Sequence, residues 1–90
     1  MKTRKKQYGN SNFVGKNIER MRKENGYSQK DFISQIQLYG LDINPTSYSK
    51  LEGQIRIATD KEIYVIAKIL KVKIDDLFLD FDNNLKNMNK

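Results

Sequence analysis

The chain has 90 residues with a formal net charge of +6, 38% hydrophobic and 31% charged side chains, and neither Cys nor His. That size suits one modest core, and that mixture is too apolar for wholesale disorder and too broken by charge to span a membrane. Without Cys or His there is no thiol-histidine nucleophile, no serine-histidine triad and almost no way to hold zinc, so an enzyme is not expected and no cofactor or small-molecule substrate is evident.

The first thirty residues hold nine Lys or Arg against Glu19 and Glu24, a local charge of +7 that leaves −1 for the remaining sixty. Such asymmetry is the footprint of a protein that meets a polyanion along one face, with nucleic acid ahead of an anionic membrane surface. Residues 1–12 (MKTRKKQYGNSN) are polar and basic without helical period, and read as a mobile arm. They also lack the apolar run of a secretory signal, so a cytoplasmic, nucleoid-associated location is expected.

From Phe13 the pattern turns helical. Val14, Ile18 and Met21 form one face, with Lys16, Arg20, Arg22 and Lys23 displayed away from it, and Gly26 suits the left-handed stop of this first helix. Ser28-Gln29-Lys30-Asp31 has the form of a capping box opening a second helix. Phe32, Ile33, Ile36 and Tyr39 make its apolar stripe, and Gly40 ends it. After Leu41-Asp42-Ile43, the pair Asn44-Pro45 starts a third helix, because Asn caps with its side chain and Pro is tolerated at the first helical position. Tyr48 and Leu51 face inward there, leaving Thr46, Ser47, Ser49 and Lys50 outside before Gly53.

Thr59-Asp60-Lys61-Glu62 is another capping box, followed by the most regular stripe of the chain: Ile63, Ile66, Ala67 and Leu70. Ile74 to Phe78 makes a short fifth helix whose Leu77 and Phe78 close the core. The domain is thus expected over residues 13–79, with a polar, frayed tail over 80–90. The acidic neighbours Asp75 and Asp76, and Asp80 and Asp82, diverge and read as solvated surface, with no catalytic role.

Several of these segments together resemble the phage repressor and Cro-type helix-turn-helix family. Arg22-Lys23-Glu24-Asn25-Gly26-Tyr27 runs straight into Ser28-Gln29, the junction that opens the family's second helix, and Ser49-Lys50-Leu51-Glu52 is similar to the end of its recognition helix. Ile63 through Phe78 resembles the last two helices, so the likeness covers roughly residues 13 to 78. Five intervening residues, Leu41 to Pro45, lengthen the turn, which makes this a longer-turn variant. Ile33 also stands where the family prefers alanine, and Gly53 comes one residue early.

The resemblance implies an all-α, five-helix DNA-binding domain in which the third helix enters the major groove and the second crosses the backbone. Thr46, Ser47 and Lys50 are then the base readers, Lys50 being able to donate to guanine O6 and N7. Phosphate contacts fall to Ser28 and Gln29 at a helix N-terminus, and to Arg20, Lys23 and Arg56. The implied function is a transcriptional regulator, a repressor, pairing as a homodimer on double-stranded DNA; Leu79, Phe81, Leu85 and Met88 are candidates for the dimer contact. The rival reading is a protein-interaction module, an antitoxin or adaptor on the same helices. Salt separates the two, because phosphate contacts weaken steeply with added salt and an apolar interface does not.

Overall fold

Each helix begins and ends where a side chain or a special backbone angle takes care of the peptide groups that a helix end leaves unpaired. In the computed structural model, which describes residues 8–79, every regular element of that span is helical: α1 (Gly15–Glu24), α2 (Gln29–Tyr39), α3 (Pro45–Glu52) and α4 (Asp60–Leu70), then a 3-10 helix at Ile74–Phe78. Residues 1–7 and 80–90 lie outside the described residues, and with them the cations Lys2, Arg4, Lys5 and Lys6 and the dimer candidates Phe81, Leu85 and Met88.

The side chain of Ser28 accepts the Asp31 N–H at 3.0 Å, though without the reciprocal bond from Asp31 that a complete box requires. Asn44 accepts the Ser47 N–H at 2.8 Å with Pro45 at the first helical position. Around Thr59 both halves of the box form, at 3.2 Å to the Glu62 N–H and 2.9 Å from the Thr59 N–H to the Glu62 carboxylate. Gly26 and Gly40 close α1 and α2 with φ of 79° and 112°. At the end of α4 the same left-handed role falls to Lys71, at φ 60°. An L side chain is strained in that region, so Lys71→Gly is expected to stabilise the fold by about 0.5–1 kcal/mol. A urea midpoint that stays put or drops would contradict this.

The core collects Val14, Ile18 and Met21 from α1, Phe32, Ile33 and Ile36 from α2, Tyr48 and Leu51 from α3, and Val65, Ile66, Ala67 and Leu70 from α4, with Ile43 and Leu77 filling its edges. Phe32 lies between Tyr27 and Tyr48, with ring centroids at 5.4 and 5.8 Å, a spacing at which tilted aromatic pairs attract. Ile33 is buried, so the larger residue is accommodated within this core.

Three expectations are corrected. Tyr39 is not core but half exposed, because the stripe of α2 turns away from the core in its last turn. The segment expected as a fifth α-helix is a 3-10 helix: five residues are too few for sustained i to i+4 bonding, and the tighter turn suits so short a piece. Its end is tied to α1, since the Asn17 amide donates to the carbonyls of Leu77 and Leu79 at 3.0 and 3.1 Å. Finally, Tyr8 to Asn12, assigned to a mobile arm, run along the exit of α3. Gly9 and Ser11 donate their N–H groups to Gly53 and Gln54 at 2.8 Å. The Asn12 amide donates to Leu51 and Arg56 carbonyls, while its oxygen accepts the Gly15 N–H and so stands in for the missing cap of α1. These backbone groups would otherwise compete for water, and no apolar period reveals such pairing.

Candidate nucleic-acid interface

An eight-residue helix can serve as a reading surface only if something fixes its other side. The inner side of α3 carries Tyr48, Leu51 and Glu52, each with no exposed surface. Glu52 is the anchor. Its Oε2 accepts from Arg22 Nε at 2.6 Å and from the Tyr48 hydroxyl; its Oε1 accepts from Arg22 Nη2 at 3.2 Å and Gln29 Nε2 at 3.0 Å. Arg22 Nη1 donates in addition to the Tyr27 carbonyl at 2.7 Å. Four donors thus meet the four lone-pair sites of one carboxylate, as a buried charge requires. α1, the start of α2 and both ends of the Tyr48–Glu52 turn are joined at this point.

The ionisation of the cluster follows from its geometry. Burial works to lower the Arg22 pKa, but the hydrogen bond and the charge of Glu52 outweigh it and raise the group above its ordinary value. Burial, then the adjacent Glu52 charge, pushes the Tyr48 hydroxyl well above the phenol range, so it stays a proton donor.

A second brace holds the start of α3. Arg56 Nε donates to the Ser47 carbonyl at 2.9 Å, and its fork grips the Glu62 carboxylate at 2.9 and 2.7 Å, with Nη1 also reaching the Ile57 carbonyl at 2.8 Å. The N-terminus of α4 is thereby clamped to the first turn of α3. Burial alone would raise the Glu62 pKa, but the Arg56 hydrogen bonds, the Thr59 N–H and the Arg56 charge bring it below the usual carboxylate range. A depressed carboxylate stabilises the fold above its unfolded pKa and loses that contribution as pH falls through the folded value. Glu62→Gln should therefore cost about 1–3 kcal/mol at neutral pH and shrink the loss between neutrality and pH about 3, read as urea midpoints. An unchanged acid loss would show that Glu62 carries none of it.

With its inner side fixed, α3 presents Thr46 and Lys50, both exposed, one turn apart on a single face, and the half-buried Ser47 beside them. None of the three is acidic, the nearest exposed carboxylate along the chain before them being Asp42. The three proposed base readers are therefore brought together. The proposed phosphate contacts divide. Ser28 is exposed at the N-terminus of α2, where the N–H groups of Gln29 and Lys30 have no intrahelical acceptor. The Gln29 side chain turns inward to Glu52 instead. Arg20 is exposed beside Glu24 at 3.2 Å, and Lys23 lies 3.9 Å from Glu19, so both are surface cations with weak partners. Arg56 is spent on its brace and reads as a support for α3.

Sequence reasoning assigned Arg22 to the solvent face and did not single out Glu52. The signal was present in the spacing: Arg22 is four residues after Ile18, and Glu52 four after Tyr48, which puts each on a buried stripe. No helix among the described residues is long and apolar enough to cross a membrane. Comparison of the chain with protein-family models, with curated proteins and with solved structures finds no match.

Proposed function

We propose that this chain is a sequence-specific double-stranded DNA-binding regulator, a repressor of the helix-turn-helix kind, acting as a dimer. One observation carries the reading: the acid-free outer face of α3, with Thr46 and Lys50 exposed, stands on an inner side pinned by the Glu52 cluster and by Arg56. A helix of that width fits the major groove of B-DNA. In this reading Thr46, Ser47 and Lys50 meet base edges, and the Thr methyl packs on a thymine methyl. The free N–H groups of Gln29 and Lys30 meet a phosphate beside Ser28, where the helix dipole favours an anion, while Arg20 and Lys23 add charge along α1. Gln29 contributes its backbone, because its amide is engaged with Glu52.

The test is Lys50→Ala on a duplex selected by the wild-type protein. Loss of a base contact relaxes preference at one position by about 1–3 kcal/mol and leaves the others unchanged. Uniform weakening across all sequences, with a shallower salt dependence, would assign Lys50 to a phosphate instead.

A further inference from the structure

At the exit of α3 it is Gln54, not a glycine, that takes the left-handed region, at φ 60°. A side chain is strained there, which is why glycine commonly fills this place after a helix. Three amides fold back over the turn: Gly53, Gln54 and Ile55 donate their N–H groups to the carbonyls of Ser49, Leu51 and Lys50 at 3.0, 3.1 and 3.0 Å. The backbone of Lys50, one of the candidate base readers, is therefore fixed only while this turn stays closed.

The residues ahead of α1 hold it shut. Gly9 and Ser11 donate to the Gly53 and Gln54 carbonyls, and the Asn12 amide donates to those of Leu51 and Arg56 at 3.1 and 2.8 Å. The Gln54 side chain answers with a 2.7 Å bond to the Asn12 carbonyl. Four carbonyls in and after the last turn of α3 thus take donors from residues 9–12, and Gln54 is gripped by both its backbone and its side chain. The fit is close: a Cβ on Gly9 would stand 2.5 Å from the Gln54 carbonyl oxygen and 2.9 Å from Ile55 Cγ2. Backbone strain of the kind held at Gln54 persists only where its surroundings over-determine it, and it gathers beside functional sites.

We propose that residues 9–12 are a strap that holds the last turn of α3 closed, with Asn12 as a positioning residue for Lys50. With the strap released, Gln54 relaxes out of the left-handed region, the Ile55 bond to the Lys50 carbonyl opens, and Lys50 loses its fixed place on the outer face of α3. The role of Lys50 rests on the DNA-binding reading. The state of the turn is measured with no DNA present, so the failure of one is distinguishable from the failure of the other.

Two variants of the full chain open the strap from different ends. Asn12→Asp still accepts the Gly15 N–H, so α1 keeps its cap, but an ionised carboxylate cannot donate to Leu51 or Arg56. Gly9→Ala drives the strap off through the close contacts with Gln54 and Ile55, and it changes no charge. In hydrogen exchange without DNA, each should speed the Gly53, Gln54 and Ile55 amides by about tenfold or more, and by more than the core amides of Ile18 and Ile66. Affinity for the duplex selected by wild type should fall by about tenfold, and the cost of Lys50→Ala should shrink severalfold in either background, because a displaced Lys50 has less to lose. Exchange at the three amides unchanged in both variants would overturn the strap. Additive effects of Lys50→Ala with both variants would overturn the positioning role, since a residue that only stabilises the fold gives no coupling. A wild type that binds no duplex would sink the role of Lys50, while the exchange result still decides the strap.

Discussion

Glu52→Ala is expected to lower the free energy of unfolding by about 3–5 kcal/mol, which for a chain this small is a large part of the total. The carboxylate has no exposed surface and accepts from Arg22, Gln29 and Tyr48. Removing it leaves the Arg22 guanidinium, 1% exposed, as an uncompensated buried charge, together with a phenol and an amide lacking acceptors. Most of the loss comes from those orphaned groups, not from an intrinsic worth of the pair. Replacing both charges, Arg22→Met with Glu52→Leu, should therefore recover much of the stability that Glu52→Ala loses. Recovery stays incomplete, because Gln29 and Tyr48 still lack their acceptor. Chemical denaturation of the three proteins separates the outcomes: a single variant within about 1 kcal/mol of wild type would mean that the cluster is not the joint that holds α3.

The second large effect comes from one methyl group. A Cβ at Gly15 would lie 2.1 Å from the Leu51 carbonyl oxygen and 2.9 Å from that of Glu52, both backbone atoms. Real side chains do not approach so closely, and backbone cannot rotate away as a flexible side chain can. Gly15→Ala must push the start of α1 off the end of α3, at a cost of about 3 kcal/mol or more. The displacement acts on the same joint, since Glu52 is one of the two residues met. Under the DNA-binding proposal, affinity for duplex should fall with stability, and by more than the fraction unfolded at the assay temperature. A Gly15→Ala protein with wild-type stability would show that the two helices have slack here. That would also undo the argument for a rigidly presented α3.

Local chemistry was readable in advance and tertiary chemistry was not. The caps at Ser28, Asn44 and Thr59 and the stops at Gly26 and Gly40 depend on residues within a few positions of each other, so the chain states them directly. The inward positions Tyr48 and Leu51 followed from helical period alone. What escaped were partnerships across the fold. Arg22 looked like surface because arginine usually is, and only Glu52, thirty residues on, makes it a buried residue. Arg56 was likewise free to be a phosphate contact until Ser47 and Glu62 were seen to occupy it. Gly9 and Ser11 pair by backbone with Gly53 and Gln54, and backbone pairing leaves little trace in side-chain pattern. Among the candidate readers, Thr46 and Lys50 are exposed on one face of α3 while Ser47 is half-buried beside them, and contact of any of the three with a base is the proposal.

Selection of bound duplexes from a random pool addresses that proposal most directly, using the full chain and no assumed operator. Enrichment of one motif, built of two inverted halves centred about 10 base pairs apart, is the predicted result, since two copies of α3 would each enter a major groove on the same side of the duplex. Retention of duplexes without any shared motif, or of none at moderate salt, would contradict it.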